Sequence, residues 1–349
     1  MNVSIRGGIG RTVFFLVIAA IICIVIVPIL YFITISFASN YEAYRFPARL
    51  LPSLSYEARL QFNREEESYS LLIREGEEFV SLKTDTDATR FSEYLLNQLN
   101  VRLSPEEVEA LFSRARSARV PIELKLRKDF FRNYVTFFLL ADGSMEALAN
   151  SIRAAAWTIL ISVVLGGLTG YTLARFRFRG MDAFSTGLLA VRMFPAVAIS
   201  LPMVIYIIRM NLYDTPLSLA LVYSVPNIAL TAWIMSSIFK GISVELEEAA
   251  MVFGASRLKA VLTITIPLAF PAVVASSLYA FLAAWNDSIT ALIMTNENPT
   301  LALLIYRTVG SSTIPNLPAA GAVVLLIPSV VFTFIIKNYI NQLWGKATI

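Results

Sequence analysis

Residues 245–267 hold the densest pattern of groups able to make a specific contact. Glu245, Glu247 and Glu248 stand close together, followed by Ala249 and Ala250, then Gly254, Ala255 and Ser256, and finally Ile266-Pro267. Acids in the first turns of a helix suit the positive end of its dipole. Ala249 and Ala250 are small enough to let another surface approach. Gly254 tolerates positive φ, so it ends or bends that helix. Ser256 then caps a second helix through Lys259. The stretch is amphipathic and lies between two long apolar runs. Its chemistry is docking, through a short helix-turn-helix lever. The competing reading is a helix that merely connects two spans.

A second constellation is Trp285-Asn286-Asp287, inside an otherwise apolar run. Polar groups within spans are costly and usually face a cavity or a partner. An aromatic face beside hydrogen-bonding side chains suits holding a polar solute such as a sugar; capping of the span is the alternative. Arg192 lies in another apolar run, where it lines the cavity, pairs with an acid such as Asp287, or snorkels at an interface.

The 349 residues include no His and one Cys, Cys23. Histidine acid–base catalysis, histidine metal ligands and an internal disulfide are excluded. No G-x-x-x-x-G-K-[ST] loop is present, so the chain has no such phosphate cradle of its own. We therefore expect no catalytic residues, no metal and no cofactor in this chain.

These groups must be held by membrane helices. The chain is 56% hydrophobic and 15% charged, with mean hydropathy +0.65, against about 25% charged in a soluble domain. Apolar runs of spanning length occur near 12–37, 153–174, 184–208, 217–239, 264–292 and 319–337. Arg6 and Arg11 flank the first, which is too long for a cleaved leader. Arg175, Arg177 and Arg179 follow the second; Lys240, Arg257 and Lys259 follow the fourth. The positive-inside rule puts those loops, Lys337, Lys346 and both termini in the cytoplasm. The basic tail around Trp344 reaches toward a partner or lies on the membrane surface. Gly166 and Gly170 form a small-xxx-small pair, read as close helix packing.

Residues 38–147 then fall outside. They carry 15 Lys+Arg and 18 Asp+Glu, net −3, leaving +7 on the remainder. The basic balance therefore reflects topology, and no nucleic-acid partner is expected. Tyr69–Lys83 is strand-like around Glu75-Gly76. Ser104-Pro105-Glu106-Glu107 starts a helix, with Val108, Leu111 and Phe112 as its apolar face. Val120–Leu126 alternates as a half-buried strand. Phe130, Phe131, Tyr134, Phe137 and Phe138 suit the outer membrane interface. The expected insert is a small extracytoplasmic α+β module.

The spacing Glu248-Ala249-Ala250, three residues, Gly254, nine residues, Ile264-x-Ile266-Pro267 resembles the cytoplasmic coupling loop of permease subunits in bacterial ABC importers. Ile266 stands where Leu is usual. Asn150-Ser151, Tyr171 to Phe178, Met193 to Val197 and Ala284 to Asp287 resemble the carbohydrate branch, most of all the smaller membrane subunit of maltose-type importers. The likeness covers roughly 1–37 and 148–349 and says nothing about the insert. It implies an all-α fold of six transmembrane helices, the type I importer permease fold. The domains would be 1–37, the insert 38–147 and a permease core 148–349 with a coupling loop at 240–263.

The resemblance further implies that Glu248, Ala249, Ala250, Gly254, Ala255 and Ser256 meet a separate ATPase, which holds the ATP and Mg. The implied partners are two ATPase subunits, a second homologous membrane subunit and an extracellular binding protein. The implied function is carbohydrate import by alternating access. Alternatives are a permease for glycerol phosphate or another polar solute, or a membrane sensor built on 38–147.

Overall fold

A computed structural model describes residues 8–44, 51–139, 143–311 and 314–345, with side chains described from 12 to 310 and from 314 to 335 within those ranges. Arg6, Arg11, Lys337, Trp344 and Lys346, singled out above, lie outside the described side chains. The chain divides into two compact units, Met1–Asp142 with Ser311–Val323 and Gly143–Gly310 with Val324–Ile349.

The first unit opens with α1 (Gly8–Ser36). Its stretch Thr12–Ser36 has a mean hydropathy of 3.4, and Val13 to Phe32 are exposed. A short α2 (Asn40–Ala43) follows, closed by a Ser39/Glu42 capping box. Four antiparallel strands, β1 (Ser55–Asn63), β2 (Ser68–Glu75), β3 (Glu78–Asp85) and β4 (Ile122–Arg127), form one sheet in the order β3-β2-β1-β4. Gly76, at φ +67°, makes the β2–β3 turn.

Two helices, α3 (Ala88–Leu99) and α4 (Pro105–Ser117), bring Phe91, Leu95, Leu99, Val108 and Phe112 against Leu60, Leu71 and Ile73 of the sheet. The Phe112 ring stacks on Tyr69 at 3.8 Å. The helix start at Ser104 has the reciprocal pair read from the sequence: its Oγ accepts from the Glu107 amide, and Glu107 accepts from the Ser104 amide.

Helix α5 (Arg132–Leu139) ties the unit to its first helix. Buried Asn133 donates to the Ser36 and Ala38 carbonyls at 2.8 and 2.7 Å. The aromatic stretch is divided: Phe137 is 1% and Phe131 62% exposed, while half-buried Phe130 stacks on Phe37 at 4.3 Å. Asn316, from the last helix, donates to Asn40 Oδ1 at 2.7 Å.

The second unit is built on α6 (Ser144–Arg175). Helices α7 (Met181–Met193) and α8 (Ala196–Arg209) follow, then α9 (Pro216–Gly241). Next come α10 (Val244–Val252), α11 (Arg257–Ala260), a π-helical turn (Val261–Thr265) and α12 (Ile266–Leu268). Then come α13 (Phe270–Trp285), α14 (Ile289–Met294) and α15 (Leu301–Ser311); α16 (Asn316–Gly345) begins in the first unit and belongs to the second from Val324 on.

The small-xxx-small pair packs α6 on α9 within this one chain. A Cβ at Gly166 would lie 2.6 Å from Thr231 Cβ, and one at Gly170 2.8 Å from the Ala232 carbonyl. Only glycine allows that approach.

Two runs expected as continuous spans are broken. Helices α7 and α8 bend by 95° at Phe194-Pro195, and the segments Arg257–Leu268 and Phe270–Trp285 bend by 76°. Proline explains both sites. Pro195 disfavours helical φ/ψ at Phe194, and Pro267 and Pro271 each lack an amide donor. Among the described residues, four helices are long and apolar enough to cross a membrane, or six if each bent pair counts as one.

Candidate functional site

Helix α10 is set up by local chemistry. Ser243 Oγ accepts from the Glu245 amide at 3.2 Å, with Glu245 and Glu247 in the first turn. Its C-terminus closes on Gly254 at φ +90°. The Gly254 amide donates to the Met251 carbonyl and the Ala255 amide to Ala250, both at 3.0 Å. That crossed pair is a Schellman cap, which needs the left-handed residue glycine supplies. Ser256 Oγ then accepts from the Lys259 amide at 3.3 Å and starts α11.

The segment presents one face outward. Glu248, Ala249, Gly254 and Ser256 are exposed, and Ala250 and Ala255 are half-buried. At the tip, Val252 is 84% and Phe253 91% exposed. They are the most exposed apolar side chains of the segment. The sequence reading missed Val252 and Phe253, although their place beside Gly254 was a signal.

Glu247 is the one buried residue of α10. Its Oε1 accepts from Arg175 Nε at 2.9 Å and from Thr265 Oγ1 at 2.8 Å. Its Oε2 accepts from the Tyr171 hydroxyl at 2.7 Å. The Arg175 and Glu247 side chains are only 3% and 2% exposed. Arg175 also donates to the Phe239 carbonyl in the last turn of α9 and to the carbonyl of Ile242, the residue that caps it, at 2.8 and 3.1 Å. Burial pushes the Glu247 carboxyl up. The hydrogen bonds from Tyr171, Thr265 and Arg175, together with the Arg175 charge, outweigh it and hold the group below its ordinary value. The sequence reading assigned Glu247 to the helix dipole and Arg175 to a basic turn and to the Tyr171 to Phe178 likeness, and did not pair them. Their 72-residue separation left no local signal of the pair.

In the second constellation the three side chains have different surroundings. Trp285 is 2% exposed, donates through Nε1 to the Leu325 carbonyl at 3.0 Å, and stacks on Phe281 at 5.2 Å. Its ring has no free face. Asp287 accepts from the Thr290 amide at 2.7 Å and hydroxyl at 3.1 Å, and so caps α14. Pairing with Asp287, one of the alternatives for Arg192, is not formed; the Asp287 carboxylate accepts from Thr290 and, at 3.5 Å, from the Tyr223 hydroxyl. Arg192 is exposed and makes no ion pair among the described residues. Asn286 is exposed at the end of α13.

Asp214, at φ +63°, was also missed. Its carboxylate accepts from the amides of Asn296, Glu297 and Asn298 at 2.8, 3.1 and 3.0 Å, pinning the 296–298 loop to the turn before α9. Nearby, Ser151 Oγ accepts from the Leu301 amide at 2.8 Å.

Residues 137–346 match the family described as "Binding-protein-dependent transport system inner membrane component". The trehalose transport system permease protein SugB of Mycobacterium tuberculosis (strain CDC 1551 / Oshkosh) is 34% identical over 215 residues, 60% of this chain and 78% of that protein. The trehalose/maltose transport system permease protein MalG of Thermococcus litoralis is 29% identical over 220 residues, 61% and 78% of the two chains. Among solved structures, a chain of a bacterial ABC transporter involved in import of the acidic polysaccharide alginate superimposes with a TM-score of 0.58 at 17% identity, over 95% of this chain and 96% of that one. With a family match over more than half its length, the chain belongs to the binding-protein-dependent transport system inner membrane components and has the fold of ABC importer permeases.

Proposed function

We propose that this chain is the transmembrane permease subunit of an ATP-driven importer for a carbohydrate. The observation that carries the reading is α10, a short helix with Glu248, Ala249, Val252 and Phe253 outward and Glu247 locked inward. The outward face is the seat for a separate ATPase, with Glu248 as its polar contact and Gly254 as the turn that lets the partner approach. Support for a sugar comes from the relatives above, named for trehalose and maltose transport.

In this reading six spans cross the membrane, each bent pair counting as one. Both termini and α10 face the cytoplasm, and residues 38–147 face outward, where a solute-binding protein delivers its ligand. A second homologous membrane subunit completes the pathway. ATP closes the two ATPase subunits, α10 moves with them, and the cavity alternates its access.

The test is a mild-detergent pull-down of the tagged chain from its native membrane, beside Glu248→Arg, with mass spectrometry. An ATPase, a second permease and a binding protein with wild type, and loss of the ATPase with the variant, support the reading. Absence of any ATPase with wild type, where other importers stay intact, overturns it. The ligand that co-purifies with the binding protein decides between a sugar and another polar solute.

A further inference from the structure

We infer that Glu247 and Arg175 form the rigid joint of the coupling segment, and that the two adjacent glutamates divide the work: Glu248 meets the ATPase, while Glu247 transmits the movement. This inference rests on the importer reading above.

The argument is mechanical. Helix α10 has nine residues and buries one of them. Apart from its two chain connections, the side chain of Glu247 is its buried hold on the transmembrane body. That hold reaches three other elements at once. Tyr171 and Arg175 belong to the last turns of α6, and Thr265 ends the π-helical turn. Arg175 extends the grip to the end of α9 through the Phe239 and Ile242 carbonyls. The planar guanidinium forks in several directions at once, which a lysine ammonium on a flexible stem does not.

Both ends of the joint suit force transfer. A π-helical turn inside a helix is a recurrent feature of functional sites. Here it leads within a few residues to the 76° bend before α13. A displacement of α10 is therefore carried into the α6–α9 pair and to the head of a bent span together. A loose or solvated contact would dissipate it. The side chains of the pair are nearly fully buried, and the carboxylate has three side-chain donors, so the geometry has one arrangement rather than many.

The experiment uses the full complex in lipid nanodiscs, in a Cys23→Ser background. Spin labels replace exposed Leu246 of α10 and exposed Leu168 of α6, and pulsed electron resonance measures the distance with and without vanadate-trapped ADP. In wild type we expect one narrow distribution that trapping leaves in place. In Glu247→Gln, we expect the distribution to broaden at least twofold on trapping, while the ATPase still co-purifies. Tyr171→Phe removes one bond, leaves the ion pair, and should give a smaller broadening; it carries the test if Glu247→Gln fails to assemble. A distance that shifts on trapping in wild type overturns the rigid joint. So does a variant that stays as narrow as wild type, as a merely stabilising role predicts. If no ATPase accompanies the wild-type chain, the importer reading itself has failed.

Discussion

Glu247 and Glu248 are neighbours in the chain and face opposite surroundings. Glu247 is 1% exposed, gripped by Arg175, Tyr171 and Thr265; Glu248 stands on the open face of the same helix. A helix turns about 100° per residue, so adjacent side chains diverge. The proposed division of work between these two identical residue types rests on that divergence.

The open face should behave as a docking surface. Phe253, 91% exposed, has little to lose within this chain when truncated. Phe253→Ser should leave the unfolding temperature of the isolated chain unchanged and cut ATPase affinity at least tenfold, since buried aromatic anchors in interfaces are worth about 2 kcal/mol or more. Titration of the ATPase onto immobilised permease measures it. Unchanged affinity would place the seat elsewhere.

The buried pair should give an acid-side stability limb. The Glu247 carboxyl sits below the 4.5 of a free glutamate. The stability it contributes is fully present above that value and is lost as pH falls through the lower, folded value. Wild type should therefore lose unfolding temperature between about pH 5 and pH 3 more steeply than Glu247→Gln. At neutral pH the variant should be weaker, by up to the ~3–5 kcal/mol that leaving one buried partner unpaired costs. Parallel pH curves would show that the carboxylate contributes nothing.

Glycine substitutions should split by position. Gly166→Ala and Gly170→Ala force atoms to within 2.6 and 2.8 Å, and overpacking of that kind costs about 1–3 kcal/mol. Gly187→Ala meets nothing within 4 Å and should be neutral or slightly stabilising in its helix. Thermal unfolding in detergent ranks the three. Equal effects at all three would remove the close-packing argument.

Asp214 should control the order of a distant loop. Asp214→Ala removes the acceptor of three consecutive amides. Burial raises the Asp214 carboxyl, but those amides outweigh it and hold the group below its usual range, the mark of a carboxylate that is well solvated by protein. Hydrogen exchange at residues 296–298 should accelerate at least tenfold, the equivalent of about 1.4 kcal/mol, with exchange along α6 unchanged. Unaltered exchange at 296–298 would show that another contact holds the loop.

What the sequence disclosed followed the range of the forces involved. Helix starts at Ser104 and Ser256 and the turn at Gly254 were legible because caps are written within five residues. The helix-turn-helix that the spacing from Glu248 to Pro267 suggested is formed by α10, Gly254 and α11. The partnership of Arg175 with Glu247 was not legible, because nothing local distinguishes a paired glutamate from a solvated one. The burial of Trp285 was not legible for a similar reason: an aromatic beside polar residues reads alike whether its ring faces a cavity or Phe281. The bends at Pro195 and Ala269 were hidden by continuous apolarity, which records the surroundings of a segment and says little about its direction. Strand β1 was within reach, since Tyr56, Ala58, Leu60 and Phe62 alternate with charged and polar residues.

The close seating of α6 on α9 also limits where the molecule can flex. With Gly166 and Gly170 pressed onto Thr231, Ala232 and Met235, there is no layer of long side chains to shear between these helices, and sliding either along the other would drive backbone into backbone. The two behave as a single beam. Any change of shape within the second unit must then be taken up at its articulations, the proline breaks at Phe194-Pro195 and around Ala269, so the beam fixes the axis about which the rest can turn.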